Sequence, residues 1–166
     1  MKDVERAYIA GLFDGEGCTS VVYTQYKKRG RERLYSGYKA NLVISNQDTH
    51  ILKHIRFLFE KGGIYPQKNK EDSHGKRQKT SYDFRISKPS DIIEFVELIS
   101  PYVIVKREDL ENIYKASKFI LKVRGLNKRH KWTTEEKEEF LKFERTSKAL
   151  KGAGKRGRKR IHLVQQ

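Results

Sequence analysis

The stretch Ala7-Tyr8-Ile9-Ala10-Gly11-Leu12-Phe13-Asp14-Gly15-Glu16-Gly17 decides how this chain is read. Apolar residues keep helical spacing from Val4 onward (Val4, Ala7, Tyr8, Leu12), and Gly15 and Gly17 stop the helix. Ala7, Gly11 and Gly15 lie four apart, so they share a helix face with almost no side chain on it. Such a face permits close backbone approach of a second helix. Gly11 inside a helix costs about 1 kcal/mol relative to Ala, so it needs a packing reason. At the helix end stand two acids flanked by glycines, Asp14 and Glu16. If the close partner is the same helix of a second subunit, two-fold symmetry brings two Glu16 carboxylates together near the axis. Paired carboxylates beside phosphates are what hard divalent cations such as Mg²⁺ require. Spacing alone also allows a plain polar turn at residues 14–17, with Gly11 a tolerated crossing point.

The rest of the chain supplies a reason for phosphates. Its 166 residues carry 37 Lys+Arg against 21 Asp+Glu, a formal net charge of +16. The charge is sorted by segment. Residues 23–41 hold six basic side chains and one acid, and residues 61–88 hold eight and three. Residues 89–118 hold four and six, and the last 42 residues hold 13 and five. A basic face that neutralises phosphates releases condensed counterions, which drives nucleic-acid binding. Hydrophobic residues at 36%, with 8 Phe and 9 Tyr, are enough for a core. A single cysteine, Cys18, excludes a disulfide framework and any zinc site built on several cysteines. No secretory signal and no membrane-length apolar run is present, so the expectation is a soluble intracellular protein, its compartment open.

Residues 19–28 switch to strand composition, and from Tyr38 the chain alternates strictly, with Ala40, Leu42 and Ile44 on the same face as Tyr38. The two segments form a long hairpin. Asp48 caps a helix over 49–59, ended by Gly62-Gly63. A second hairpin pairs residues 64–70 with 79–87. Pro89 opens a helix over 90–99, and another runs from 106 to 123. Thr133-Thr134-Glu135-Glu136 signals a last helix to about Lys148. The order α-β-β-α-β-β-α-α predicts an α+β domain, an antiparallel sheet with helices on one face. Residues 1–124 form the domain, 125–150 an appended helix and 151–166 a flexible basic tail.

The stretch Ala7–Gly17 resembles the signature of the LAGLIDADG homing endonucleases, and the element order over residues 4–123 resembles that family's half-domain. The resemblance implies a saddle-shaped sheet lying in the DNA major groove. One motif copy and no internal repeat resemble the homodimeric members, which puts Ala7, Ala10, Gly11, Asp14 and Gly15 at a dimer interface. The last motif acid falls on Glu16, which would bind Mg²⁺ or another divalent cation such as Mn²⁺, with the Gly15 carbonyl adjacent. Asp14 is the acid that supports the helix end. A polar residue between the second strand and the next helix falls on Asn46 or Gln47, with the register open. A basic residue near the active site falls on Lys106, whose charge would stabilise the transition state or polarise a water.

If the uncovered sheet face meets DNA, alternation selects the readers. These are Ser20, Val22, Thr24, Tyr26 and Lys28 on the first strand, then Lys39, Asn41, Val43 and Ser45 on the second. On the fourth they are Ser81, Asp83 and Arg85; on the third, Gln67, Lys68 and Lys70 are carried without a chosen face. Arg suits guanine, Asn or Gln adenine, and Asp the cytosine amino group. Lys27, Arg29, Arg31, Arg33, Lys76, Arg77 and Lys79 lie near hairpin tips and suit phosphates. A slip of one residue would invert any strand's set. His50 and His54 are four apart but lack a third ligand, so they read as surface residues. The expected function is metal-dependent cleavage of a long, pseudo-palindromic duplex site by a homodimer, with no small-molecule cofactor. The alternatives are a non-cleaving binder on the same scaffold, an RNA maturase or DNA regulator, and an RNA-binding housekeeping protein.

Overall fold

The structure, a computed structural model, describes residues 1–27, 34–67, 80–126 and 131–155. Helix α1 (Asp3–Glu16) leads directly into strand β1 (Gly17–Lys27), which is followed by β2 (Leu34–Asn46) and α2 (Thr49–Phe59). Strands β3 (Gly63–Pro66) and β4 (Tyr82–Ile86) precede α3 (Pro89–Ile99), a 3-10 turn (Ser100–Tyr102), α4 (Arg107–Leu126) and α5 (Thr134–Lys155). The α+β expectation holds. The four strands form one antiparallel sheet in the order β1-β2-β4-β3, the two hairpins meeting where β2 pairs with β4.

Alternation settles which face is covered. Tyr38, Ala40, Leu42 and Ile44 of β2 are buried, as are Val21 of β1 and Phe84 and Ile86 of β4. The helices cover that face with Ile9 and Phe13 of α1, Leu52 and Ile55 of α2, Ile92, Phe95 and Ile99 of α3, and Ile113 and Ile120 of α4. Ser20, Val22, Thr24, Lys39, Asn41, Val43 and Ser45 therefore stand on the opposite, open face, directly opposed across β1 and β2 as Ser20↔Asn41 and Val22↔Lys39.

Local signals place most helix ends. The Asp48 side chain accepts from the His50 amide at 2.8 Å, as an N-cap should. Pro89 occupies the first turn of α3. Thr133 and Glu136 form a reciprocal capping box, Thr133 N to Glu136 Oε2 at 2.8 Å and Glu136 N to Thr133 Oγ1 at 3.2 Å. Helix α2 ends differently from the expectation: the left-handed residue is Glu60 (φ 61°), and Gly62 (φ 83°) follows it. The third strand is also shorter than expected, ending at Pro66.

Helix α5 belongs to the same core. Trp132, just before it, stacks on Tyr38 with ring centroids 3.5 Å apart and planes within 5°. Phe140 meets Tyr38 edge-on at 5.1 Å and is fully buried. The Val21 amide donates to Ser147 Oγ at 3.4 Å, so α5 supplies an acceptor to the edge strand β1.

Candidate active site and nucleic-acid interface

The buried stripe of α1 is Ile9, Ala10 and Phe13, while Val4, Ala7, Tyr8, Gly11 and Gly15 are exposed. The helix is thus apolar on two sides, one facing the core and one facing outward. Val4 is 81% exposed and Tyr8 47%. Ala10 does not belong on the outward side: it has no exposed surface and packs within the protomer, which corrects its assignment to a subunit interface. A methyl group added at Gly11 or Gly15 would meet no atom within 4 Å among the described residues beyond its own helix backbone. Gly17 is different, because a Cβ there would collide with the ring and carbonyl of Phe13.

Asp14 also turns inward. Its carboxylate accepts from the amides of Ile104 (2.8 Å), Val105 (3.1 Å) and Lys106 (2.9 Å), in the turn that opens α4. The half-buried side chain thus anchors that turn within the protomer. Lys106 answers from the other side. Its Nζ donates to the carbonyls of Phe13 (3.1 Å), Gly15 (3.3 Å) and Gly17 (2.6 Å). The last turn of α1 holds no basic residue of its own and ends in Glu16, an unfavourable charge at the negative end of a helix dipole. Lys106 supplies the missing cation. Both residues stand out in the sequence, but that each ties down the helix of the other is visible only in the fold.

Glu16 is exposed at this end of α1. The pairing Gly17↔Ile44 brings the same end beside the C-terminal end of β2, so residues 46 and 47 lie in its neighbourhood. Asn46 Oδ1 accepts from the Asp48 amide at 2.8 Å and shapes the turn into α2. Gln47 is exposed. Gly15 and Glu16 at the end of α1, and the Lys106 ammonium bonded to the Gly15 carbonyl, therefore lie together beside the end of β2. Among the described residues no cluster of three His, Cys, Asp or Glu side chains is present, and no helix is long and apolar enough to cross a membrane.

On the open sheet face, Ser45 Oγ and Gln67 Nε2 donate to Asp83 Oδ1 at 2.7 and 2.6 Å, and Arg85 Nη2 donates to Oδ2 at 3.0 Å. Burial by itself would raise the Asp83 pKa, but the three hydrogen bonds and the Arg85 charge outweigh it and hold the carboxyl below its usual range. Asp83 is only 8% exposed, so it cannot take a cytosine amino group as the sequence suggested. Gln67, whose face was open, joins this side. Tyr65, which sequence reading passed over, sets its ring 5.5 Å from the Arg85 guanidinium carbon. Nearby, Lys39, Asn41, Arg85, Ser87 and Arg124 line a basic notch of about 350 Å³, and Ser87 Oγ donates to Asn41 Oδ1 at 2.8 Å. Arg124 reaches it from the end of α4, too far along the chain for strand alternation to find. Ser81 stands at the start of β4, half-buried. Lys28, Arg33, Lys68, Lys70 and Lys79 lie outside the described residues, as do Arg29, Arg31, Lys76, Arg77 and the side chains of Tyr26 and Lys27. Among the discounted residues, His50, His54 and Cys18 are all exposed.

Solved structures share this architecture. The homing endonuclease I-TnaI superposes with a TM-score of 0.60 at 21% identity, over 92% of this chain and 97% of its own. The archaeal intron-encoded homing endonuclease I-Vdi141I, complexed with DNA, gives 0.66 at 15% identity over 90% and 85%. I-CvuI, in complex with the I-CreI target in the presence of Mg, gives 0.65 at 14% over 89% and 82%. At these identities the likeness concerns the fold. No curated relative matches the chain. The family model described as LAGLIDADG endonuclease matches residues 9–117, from the middle of α1 into α4. The chain belongs to the LAGLIDADG endonuclease family.

Proposed function

We propose that the protein is a homodimeric, site-specific endonuclease that hydrolyses both strands of a long, pseudo-palindromic DNA duplex. The observation that carries the reading is the outward face of α1. Gly11 costs helix stability, and among the described residues nothing outside its own helix approaches it closely enough to require glycine. A second copy of α1 packed on that face gives Gly11 and Gly15 their reason and brings two Glu16 side chains to one place. The open sheet face then extends on both sides of the pair as a surface for duplex DNA, and the sequence of its hairpins is rich in Lys and Arg. I-Vdi141I and I-CvuI are described in complex with DNA, which supports that partner.

Glu16 and the Gly15 carbonyl would hold a divalent cation, Mg²⁺ or Mn²⁺. The donors fit: both are hard oxygens, the kind such ions take. One protomer offers only these two, and the second copy and the scissile phosphates would complete the set. When bound, the cation supplies Lewis-acid stabilisation of charge on the phosphate. The chain's own residues do the rest. Lys106 fixes the Gly15 carbonyl through a hydrogen bond and sets its positive charge beside the site. Gln47, at the β2–α2 junction, is the better placed of the two candidate amides to orient an attacking water, since the Asn46 oxygen is already engaged. A randomised duplex library incubated with the protein, with and without Mg²⁺, tests the reading. It predicts metal-dependent enrichment of symmetric cleaved sites, while enrichment by binding without cleavage would favour the maturase or regulator alternative.

A further inference from the structure

We propose that Asp83 is a positioning residue that presets Arg85 and Gln67 to read the same or neighbouring base pairs, Arg85 a guanine and Gln67 an amino-bearing base, adenine or cytosine. The inference rests on the reading of the open sheet face as the DNA surface.

The hydrogen-bond bookkeeping on that face is nearly complete. A carboxylate only accepts, so the Gln67 amide must turn its nitrogen toward Asp83, at 2.6 Å; the same nitrogen donates to Ser45 Oγ at 3.2 Å. Both Gln67 N–H bonds are then used, and the group retains only its carbonyl oxygen for an outside partner. A free glutamine pairs with adenine through one donated and one accepted bond. Gln67, lacking the donor, can only accept, from adenine N6 or cytosine N4 in the major groove. Arg85 gives one arm to Asp83 at 3.0 Å and lies against the Tyr65 ring. Its remaining N–H groups are all donors, and guanine offers two acceptors, O6 and N7, in the same groove. Ser45 is used up within the cluster, donating to Asp83 at 2.7 Å and accepting from Gln67. The strand register supports the arrangement, because Ser45 and Tyr65 are the residues directly opposite Asp83 on β2 and β3. One buried acid thus removes the conformational freedom of two exposed readers and limits what each can recognise.

The test compares wild type, Asp83→Asn, Arg85→Lys and Gln67→Ala in binding selection from a randomised duplex library, with ¹⁵N relaxation of the Arg85 side chain in the free proteins. Wild type should enrich guanine at one position per half-site by about tenfold, and adenine or cytosine at the same or a neighbouring base pair. Arg85→Lys, which lacks the planar guanidinium fork, should weaken the first preference, and Gln67→Ala should lose the second. Asp83→Asn should bring both to within about twofold of random while leaving the other positions unchanged, and should free the Arg85 side chain. The inference is overturned if Asp83→Asn keeps both preferences, or if it flattens every position alike. It is also overturned, independently of DNA, if Arg85 is as mobile in wild type as in Asp83→Asn. Should Arg85 be rigid through Asp83 while wild type enriches no sequence, the DNA reading fails, and preset base readout falls with it.

Discussion

Asp14 and Lys106 clasp two helices by exchanging ends. The Lys106 amide donates to Asp14 Oδ1 at 2.9 Å, while the Lys106 ammonium donates back to the Gly15 carbonyl next to Asp14 at 3.3 Å and to that of Gly17 at 2.6 Å. The residues are 92 apart in sequence. The clasp fixes the end of α1, and with it Glu16, against the start of α4, so the geometry of the candidate active site depends on both.

Removing either half should therefore act on stability and cleavage together. Asp14→Ala strips three amides of a charged acceptor, and Lys106→Met strips three carbonyls of a charged donor. Each should lower unfolding free energy by about 1–3 kcal/mol, as expected for hydrogen bonds to charged groups. Urea denaturation reads this directly. Cleavage should fall in both variants while duplex binding persists, because the open sheet face is untouched.

Gly11→Ala should separate fold from assembly. Within the protomer the methyl enters open space and the better helix former stabilises by about 1 kcal/mol. Between two packed copies the same methyl holds the helices apart. Sedimentation should show a weaker dimer, and thermal unfolding at low concentration a more stable protomer.

The acid limb of stability should carry the signature of Asp83. Its folded pKa lies below the unfolded value of about 3.9, so its contribution is fully present above that pH and is lost as pH falls through the folded value. Wild type should lose urea stability more steeply below about pH 4 than Asp83→Asn, in which that group no longer titrates.

Trp132→Ala should loosen α5 without disturbing the sheet. The indole stacks on Tyr38 and also meets Phe140 and Phe119 edge-on, at 5.6 and 5.8 Å. Trp132 is only partly buried, so its truncation should cost less than the ~3–5 kcal/mol of a fully buried aromatic. Hydrogen exchange should rise at the Val21 amide, whose acceptor Ser147 lies on α5.

The periodicities made the scaffold legible. Strict alternation from Tyr38 to Ser45 fixed which side of the sheet is covered, and caps at Asp48 and Thr133 fixed helix starts. The stretch from Ala7 to Gly17 located the helix end that carries Glu16. What stayed hidden depends on contacts between distant segments. Ala10 and Gly11 look alike as small residues, and only packing assigns one to the core and the other to the outside. Asp83 falls on the open face by alternation, yet Ser45 of β2, Arg85 of β4 and Gln67, just past β3, converge to consume it. Arg124 reaches the basic notch from a helix end that no strand pattern includes.

On the proposed reading Glu16, at the tip of α1, carries cleavage while the sheet carries binding. The measurement is Glu16→Gln beside wild type on one selected duplex, with equilibrium binding and strand cleavage read in the same Mg²⁺ buffer. Binding should stay within about threefold of wild type, well under the 1.4 kcal/mol that a tenfold change represents, with no detectable cleavage of either strand. Cleavage at the wild-type rate by Glu16→Gln would remove Glu16 from the reaction.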